Sequence, residues 1–357
     1  MDLLRKTYAE INTKNIKENI QKIIKKYNNY EYYFGVVKAD CYGHGYVKTV
    51  QAVLDGGCNY LAVATLEEAL EIRAIYKKIP ILCLGVIDKE HIYLCTKNNI
   101  TITINSLEHL QQIDIKKTYK NKLKVHLKIN TGMNRLGISN SNELIEVCKM
   151  LKENNIEIEG IYTHIYNASN KENYENQIKK FKDITSSIEL SRIKIVHIPA
   201  SEATINYPKL DFVNGCRLGI VMYGLYAPKE LELKSTFSLK SKIIQINELK
   251  KGETVGYNAT YTAKEDEKIA VVAIGYADGI IRKNKGRYVY INNKKYEIVG
   301  NICMDMMFVK VDDNVKINDM VEVLKDKEHI EYVAKYLDTI PYEIICLVGK
   351  RVNRVYV

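Results

Sequence analysis

The chain has 357 residues, enough for about two domains. With 46% hydrophobic and 27% charged residues it has the composition of a soluble globular protein, and only 5 prolines and 19 glycines exclude a long disordered or collagen-like stretch. No apolar run reaches the ~18 residues of a membrane span, and the opening MDLLRKTYAEINTKN lacks the apolar segment and small-residue cleavage site of a secretion signal.

Lys and Arg total 53 against 43 Asp and Glu, a formal charge of +10. These cations are scattered among Asn and Glu, and the 27 tyrosines carry no RNA-binding signature, so a solvated basic surface is expected and no nucleic acid. The eight cysteines form no CxxC pair, which argues against a metal or redox motif and for a cytoplasmic chain with reduced thiols.

In chain order, Ile16, Ile20, Ile23 and Tyr27 form a core-facing helical stripe. Eight short apolar runs follow, with amphipathic stretches between them: Tyr33–Val37, Leu61–Ala64, Ile81–Gly85, Thr101–Ile104, Lys124–Ile129, Gly160–His164, Lys194–His197 and Asp211–Arg217. That alternation predicts an α/β fold, a TIM-type (β/α)8 barrel over residues 1–232, with a doubly wound sheet as the alternative. The remainder, 233–357, reads as a mainly β domain with strands at Ser241–Leu249, Lys268–Ile274, Arg287–Ile291 and Phe308–Val311, and one helix near Glu331–Leu337. Tyr290-Ile291-Asn292-Asn293-Lys294 predicts a tight hairpin, because Asn tolerates left-handed backbone.

The chemistry collects where the strands end. The first run leads into Val37-Lys38-Ala39-Asp40-Cys41-Tyr42-Gly43-His44. An ammonium is costly to bury, and burial lowers its pKa, which suits a lysine that forms a Schiff base. Later strands lead to Lys128, Arg135, His164, Ser201 and Arg217-Leu218-Gly219-Ile220. Barrel enzymes place their sites on this face, with phosphate held after strands seven and eight. Ser201 and the N–H groups of Gly219 and Ile220 fit a phosphate, and with Lys38 they point to pyridoxal 5'-phosphate (PLP).

Over nearly its whole length the sequence resembles the bacterial alanine racemases, fold-type III PLP enzymes. The segments that carry the resemblance are VVKADCYGHG, HLKINTGMNRLGI, THIYNAS, CRLGIVMYG, GYNATYTA, AIGYADG and CMDMM, in the family's order. The resemblance implies interconversion of L- and D-alanine by two bases, with D-alanine destined for peptidoglycan. Lys38 would carry the cofactor and act on the D-face, and Tyr257 would act on the L-face. Tyr42, Ser201, Gly219, Ile220 and Tyr342 would hold the phosphate, and Arg217 would meet the pyridine nitrogen. A guanidinium does not give up its proton, so that nitrogen would stay unprotonated.

A phenol holds its proton to about pH 10, and by resemblance His164 and Arg217 are the relay partners of Tyr257. Arg135 would contact the cofactor's phenolic oxygen and the substrate carboxylate, and Lys128 would be a carbamylated neighbour orienting it. Met304 and Tyr257 would reach the barrel of a second subunit, making a homodimer with shared sites, and Tyr276 would line the access corridor. No metal is expected. The sequence departs from the family pattern at Asn130 (usually Asp), Asn134 (usually Gly), Ala200 (usually Asn) and Tyr166. Rival readings are a serine or broad-specificity racemase, a fold-type III decarboxylase and a non-catalytic PLP-handling barrel. His44 reads as structural, His126 as a core histidine and Cys303 as packing, and His91, His109 and His329 lie in polar helical stretches that suggest no metal site.

Overall fold

The computed structural model describes residues 3–113, 123–226 and 228–357. They fall into two compact units, one of Met1–Ile16, Tyr42–Thr49 and Tyr223–Val357, the other of Lys17–Cys41 and Val50–Met222.

A short strand, β1 (Tyr8–Ile11), precedes eight strands that close on themselves: β2 (Tyr32–Val36), β3 (Tyr60–Val63), β4 (Ile81–Cys83), β5 (Thr101–Ile104), β6 (Lys124–Lys128), β7 (Glu157–Tyr162), β8 (Ile195–Ala200) and β9 (Gly215–Leu218). Every pairing is parallel, and Gly35 opposite Leu218 closes the ring. The predicted barrel is therefore the observed one, with strand ends displaced by a few residues. The displacement is largest at β9, where Asp211 to Asn214 form a turn ahead of the strand. Parallel strands covered on both faces read as continuous apolar runs, which is why these eight were legible. The helix Thr13–Lys26 buries Ile16, Ile20 and Ile23 completely, and Tyr27 lies just past its end.

The second unit holds β1 and the strands after residue 236: β10 (Phe237–Leu249), β11 (Thr254–Val255), β12 (Tyr261–Thr262), β13 (Glu267–Val272), β14 (Tyr288–Ile291), β15 (Lys294–Val299), β16 (Met307–Val311), β17 (Met320–Leu324) and β18 (Asn353–Tyr356). Its large sheet runs β13-β16-β15-β14-β17-β10-β1-β18. The 13-residue β10 also pairs with β13 beyond a register shift at Ile243/Gln245, so six of these strands return on themselves. The predicted hairpin forms, with Ile291 opposite Lys294 and Asn292 and Asn293 at φ of 50° and 64°.

Two expectations need correction. Among the described residues after 236, α-helices form at Lys327–Tyr336 and Pro341–Cys346 where one was expected, because Asp326 caps the first and Pro341 opens the second. The N-terminal strand β1 pairs with β10 and β18, so the chain's first strand contributes to the β sheet and not to the barrel. Among the described residues no helix is long and apolar enough to cross a membrane.

Candidate active site

Lys38 follows β2 directly and begins an unusual turn. Ala39, Asp40, Cys41 and Tyr42 all have φ between 51° and 55°, and Gly43 follows at 79°. One turn of left-handed helix in L-residues costs about 1–2 kcal/mol per residue, and such strain gathers at functional sites. Glu68 pins the turn: its Oε1 accepts from the Ala39 N–H at 2.6 Å and its Oε2 from the Ala64 N–H at 2.7 Å. Sequence reading passed over Glu68, although Thr65-Leu66-Glu67-Glu68 has the spacing of a capping box and forms one. Gly43 is needed where it stands, since a Cβ there would lie 2.4 Å from the Ile345 carbonyl oxygen.

At the mouth of the barrel the charges that act on Lys128 and His164 are all positive. Lys128 is 7% exposed, and burial together with Arg135, Arg217 and Lys38 brings its pKa down to about 8. His164 is held down to about 3 by burial and by the same four cations, Arg217, Arg135, Lys128 and Lys38. Lys128, Thr131, Arg135, Thr163 and His164 line one concave pocket.

Arg217 is buried at the centre of this group. Nη1 donates to His197 Nδ1 (2.8 Å) and the His197 carbonyl (2.9 Å), and Nη2 to the carbonyls of Thr163 (2.8 Å) and Ile198 (3.1 Å). His164 Nδ1 is 3.4 Å from Nη2. Burial lowers its pKa to about 10, so the guanidinium is charged at neutral pH. The sequence-predicted pair of Arg217 and His164 is thus in contact. His197, which no sequence argument selected, is the nearer imidazole; its only signal was a histidine inside an apolar strand.

Ser201 begins a short helix, Ser201–Asn206, right after β8, and its Oγ accepts from the Gly219 N–H at 3.0 Å. Its own proton is therefore available to an acceptor. Ala200 occupies the N-cap position with extended backbone but offers no capping side chain. The other departures keep the local geometry. Asn130 Oδ1 accepts from the Gly132 and Asn134 N–H groups, both at 3.1 Å. Asn134 sits at φ 55°, a conformation that Asn tolerates after Gly. Tyr166 accepts a hydrogen bond from Asn173 Nδ2 at 2.9 Å.

In the other unit, Tyr42 and Tyr342 stand together, with ring centroids 6.0 Å apart. Backbone bonds from Tyr276 N to Cys303 O and from Ala277 N to Met304 O, both 3.0 Å, join the GYADG and CMDM segments. A Cβ on Gly275 would meet the Cys303 and Met304 carbonyl oxygens at 2.3 and 2.4 Å. Asn301 Nδ2 donates to the Tyr257 carbonyl at 2.9 Å. Tyr257 is 69% exposed, Met304 52% and Tyr276 42%.

Among the remaining histidines, His44 is fully buried, with Nε2 2.9 Å from Thr236 Oγ1, and is structural. His126 lies in the core beside His197. His109 and His329 are both buried within their helices. Cys303 bonds only weakly, from Sγ to the Asn301 carbonyl at 3.8 Å. Among the described residues no group of three or more His, Cys, Asp or Glu is arranged to hold a metal ion.

Comparison with known proteins settles the kinship. Residues 11–227 match the family described as alanine racemase, N-terminal domain, and residues 236–356 match alanine racemase, C-terminal domain. The chain belongs to the alanine racemase family. It is 36% identical over 365 residues to alanine racemase 1 of Bacillus subtilis (strain 168), covering 99% of this chain and 93% of that one. It is 37% identical to the alanine racemase of Helicobacter acinonychis (strain Sheeba), covering 99% and 100%. Among solved structures, the alanine racemase of Bacillus anthracis with bound L-Ala-P superposes with a TM-score of 0.93 at 32% identity, covering 100% of this chain and 96% of that one. That of Clostridium difficile 630 also gives 0.93, at 36% identity, covering 100% and 97%. The family match covers both the barrel and the β-rich part, as the quoted motifs implied.

Proposed function

We propose that this chain is a PLP-dependent alanine racemase that interconverts L- and D-alanine, with D-alanine going to peptidoglycan synthesis. The observation that carries the proposal is the cluster of Lys38, Lys128, Arg135 and Arg217, whose charges act together on Lys128 and His164 at one end of the barrel. Such a pocket calls for anions, and PLP with an amino-acid carboxylate supplies them. The donor set suits PLP: a lysine on a rigid strained turn, a serine hydroxyl with its proton available, and a guanidinium whose acceptors lie on Nη1 and Nη2.

PLP supplies an electrophilic carbonyl for the substrate amine and a conjugated ring that accepts the electrons left by the α-hydrogen. Lys38 would hold it, with Tyr42, Ser201, Tyr342 and the N–H groups of Gly219 and Ile220 on the phosphate and Arg217 on the pyridine nitrogen. As an obligate donor, Arg217 keeps that nitrogen unprotonated and limits side reactions. Arg135 orients the carboxylate. Lys38 Nζ takes or returns the α-proton on the D-face and Tyr257 Oη does so on the L-face. His164, held neutral by burial and the surrounding cations, is a weak base there and would serve the tyrosine as a hydrogen-bonding partner.

Lys128 supports a further part of this reading. With a pKa of about 8 it is partly neutral at physiological pH, and only a neutral amine forms a carbamate. A carbamate would replace a cation beside Arg135 with an anion. The exposure of Tyr257 and Met304 supports a homodimer in which these two residues enter the partner's barrel, with Tyr276 lining the entry corridor. The unpaired thiols Cys58, Cys83, Cys95 and Cys216 support a reducing, cytoplasmic compartment.

The test is a racemisation assay with L-alanine, L-serine and L-lysine on wild type and Lys38→Ala. Alanine is expected to turn over fastest, and Lys38→Ala to lose both activity and the bound-cofactor absorbance. A preference for serine would favour the broader racemase, and colourless wild type after PLP addition would refute the cofactor.

A further inference from the structure

The interior of such barrels is filled mainly by branched aliphatic side chains, yet four consecutive strands here point polar groups inward. Arg217 on β9, His197 on β8, His126 on β6 and Glu159 on β7 are each 3% exposed or less. Buried polar groups are retained at a cost, and the cost falls only when each is satisfied.

Donor and acceptor roles follow by elimination. A guanidinium only donates, so His197 Nδ1, 2.8 Å from Arg217 Nη1, is an acceptor and carries no proton. A neutral His197 then has its proton on Nε2, which lies 2.8 Å from His126 Nδ1. That nitrogen accepts in turn, and the His126 proton sits on Nε2, 3.6 Å from Glu159 Oε2. This last step is longer than a hydrogen bond and acts as a dipole aimed at a charge.

The surroundings keep the string in this state. Burial and Arg217 hold His197 neutral, and burial holds His126 neutral against the pull of Glu159. Burial alone would push the Glu159 carboxyl up, but His126, the Tyr60 hydroxyl at 2.8 Å and Lys124 hold it well below the usual carboxylate range. Lys194 adds an ion pair at 3.2 Å. Phe34 and Tyr162 stack on His197 at 4.5 and 4.6 Å, so the ring cannot turn to exchange its nitrogens.

We propose that Arg217, His197, His126 and Glu159 form a one-way string through the barrel that sets the position of Arg217, with His197, His126 and Glu159 as its positioning residues. The string occupies Nη1, and the Thr163 and Ile198 carbonyls occupy Nη2. Nε is then the one Arg217 nitrogen without an acceptor among the described residues, left for a ligand. The aligned imidazole dipoles also carry the field of the Glu159 carboxylate towards the guanidinium and favour its charged form. The inference rests on the assignment of Arg217 to the pyridine nitrogen given above.

Neutron diffraction from crystals of the purified protein tests it directly. Deuterons are expected on Nε2 of both His197 and His126, with both Nδ1 atoms bare. A deuteron on Nδ1 of either ring would overturn the string. Glu159→Gln keeps shape and removes the charge. It is expected to lower kcat for alanine about 10-fold with KM within about two-fold and to shift the absorbance of bound PLP, on the scale of outer-shell partners. Unchanged kcat and spectrum in a folded Glu159→Gln protein would also overturn it. If that variant does not fold, Tyr60→Phe, which removes one donor to Glu159, is expected to move kcat and spectrum the same way by about two-fold, and no movement counts against the string. Absence of any PLP band in wild type would refute only the functional reading, because the proton positions are read from the map regardless.

Discussion

Single residues decide the direction of the chemistry. Tyr257→Phe removes the L-face proton carrier and leaves Lys38 in place. Loss of α-hydrogen from L-alanine is expected to slow by at least about 100-fold, and from D-alanine by clearly less, as read from solvent deuterium incorporation in each direction. Equal slowing would refute the two-base assignment. Asn134 shows how a departure from a family pattern can be neutral. It takes left-handed backbone at φ 55°, which Gly adopts freely, Asn adopts readily and Ala does not. Asn134→Gly is expected to leave thermal stability within about 0.5 kcal/mol, and Asn134→Ala to cost about 1 kcal/mol, measured by urea unfolding.

At the scale of elements, the informative pieces are the turns after the strands. The left-handed turn that begins at Lys38 stores strain, and Glu68 holds it by bridging two N–H groups from β2 and β3. The helix Ser201–Asn206 presents Ser201 without a side-chain cap, because Ala200 stands at the cap. Ala200→Asn is expected to stabilise the protein by about 0.5–1 kcal/mol, seen as a higher Tm. An unchanged or lower Tm would mean that the extended backbone at Ala200 does not direct a side chain onto the helix. The strand ends were legible as places where polar residues follow apolar runs. The handedness of the Lys38 turn was not, since Ala, Asp, Cys and Tyr carry no preference for positive φ.

For the whole molecule, two properties follow from how groups are gathered. Burial lowers the pKa of His109, His126, His164, His197 and His329, to about 3 for His164 and His329. The unfolded chain binds protons at these sites near pH 6.5 and the folded one does not. Stability is therefore full above about pH 6.5 and falls as the pH drops below it, by about 1 kcal/mol at pH 5.5 for each of His164 and His329, with the other buried histidines adding in the same direction. Urea midpoints at pH 7.5 and 5.5 measure this, and a flat profile would contradict it. The shared-site dimer is tested by mixing Lys38→Ala with Tyr257→Phe subunits. Half of the randomly formed dimers would be mixed, each with one intact site, so about a quarter of wild-type activity is expected to return. No recovery despite subunit exchange would place both bases in one chain.

The sequence by itself determined the barrel, the β-rich remainder, the Asn292-Asn293 hairpin and the family, because continuous apolar runs, turn residues and motif order are local signals. It also picked out Lys38, Arg217, His164 and Ser201, polar groups that local context cannot explain as packing. The short strands β1, β11, β12, β17 and β18 were missed, since two to five residues carry little periodicity. What only the tertiary structure decided is which groups meet. His126 lies 71 residues from His197 and 33 from Glu159, in separate barrel strands. Closing the barrel brings them into line, and the single-signed charge around Arg217 arises from that closure alone.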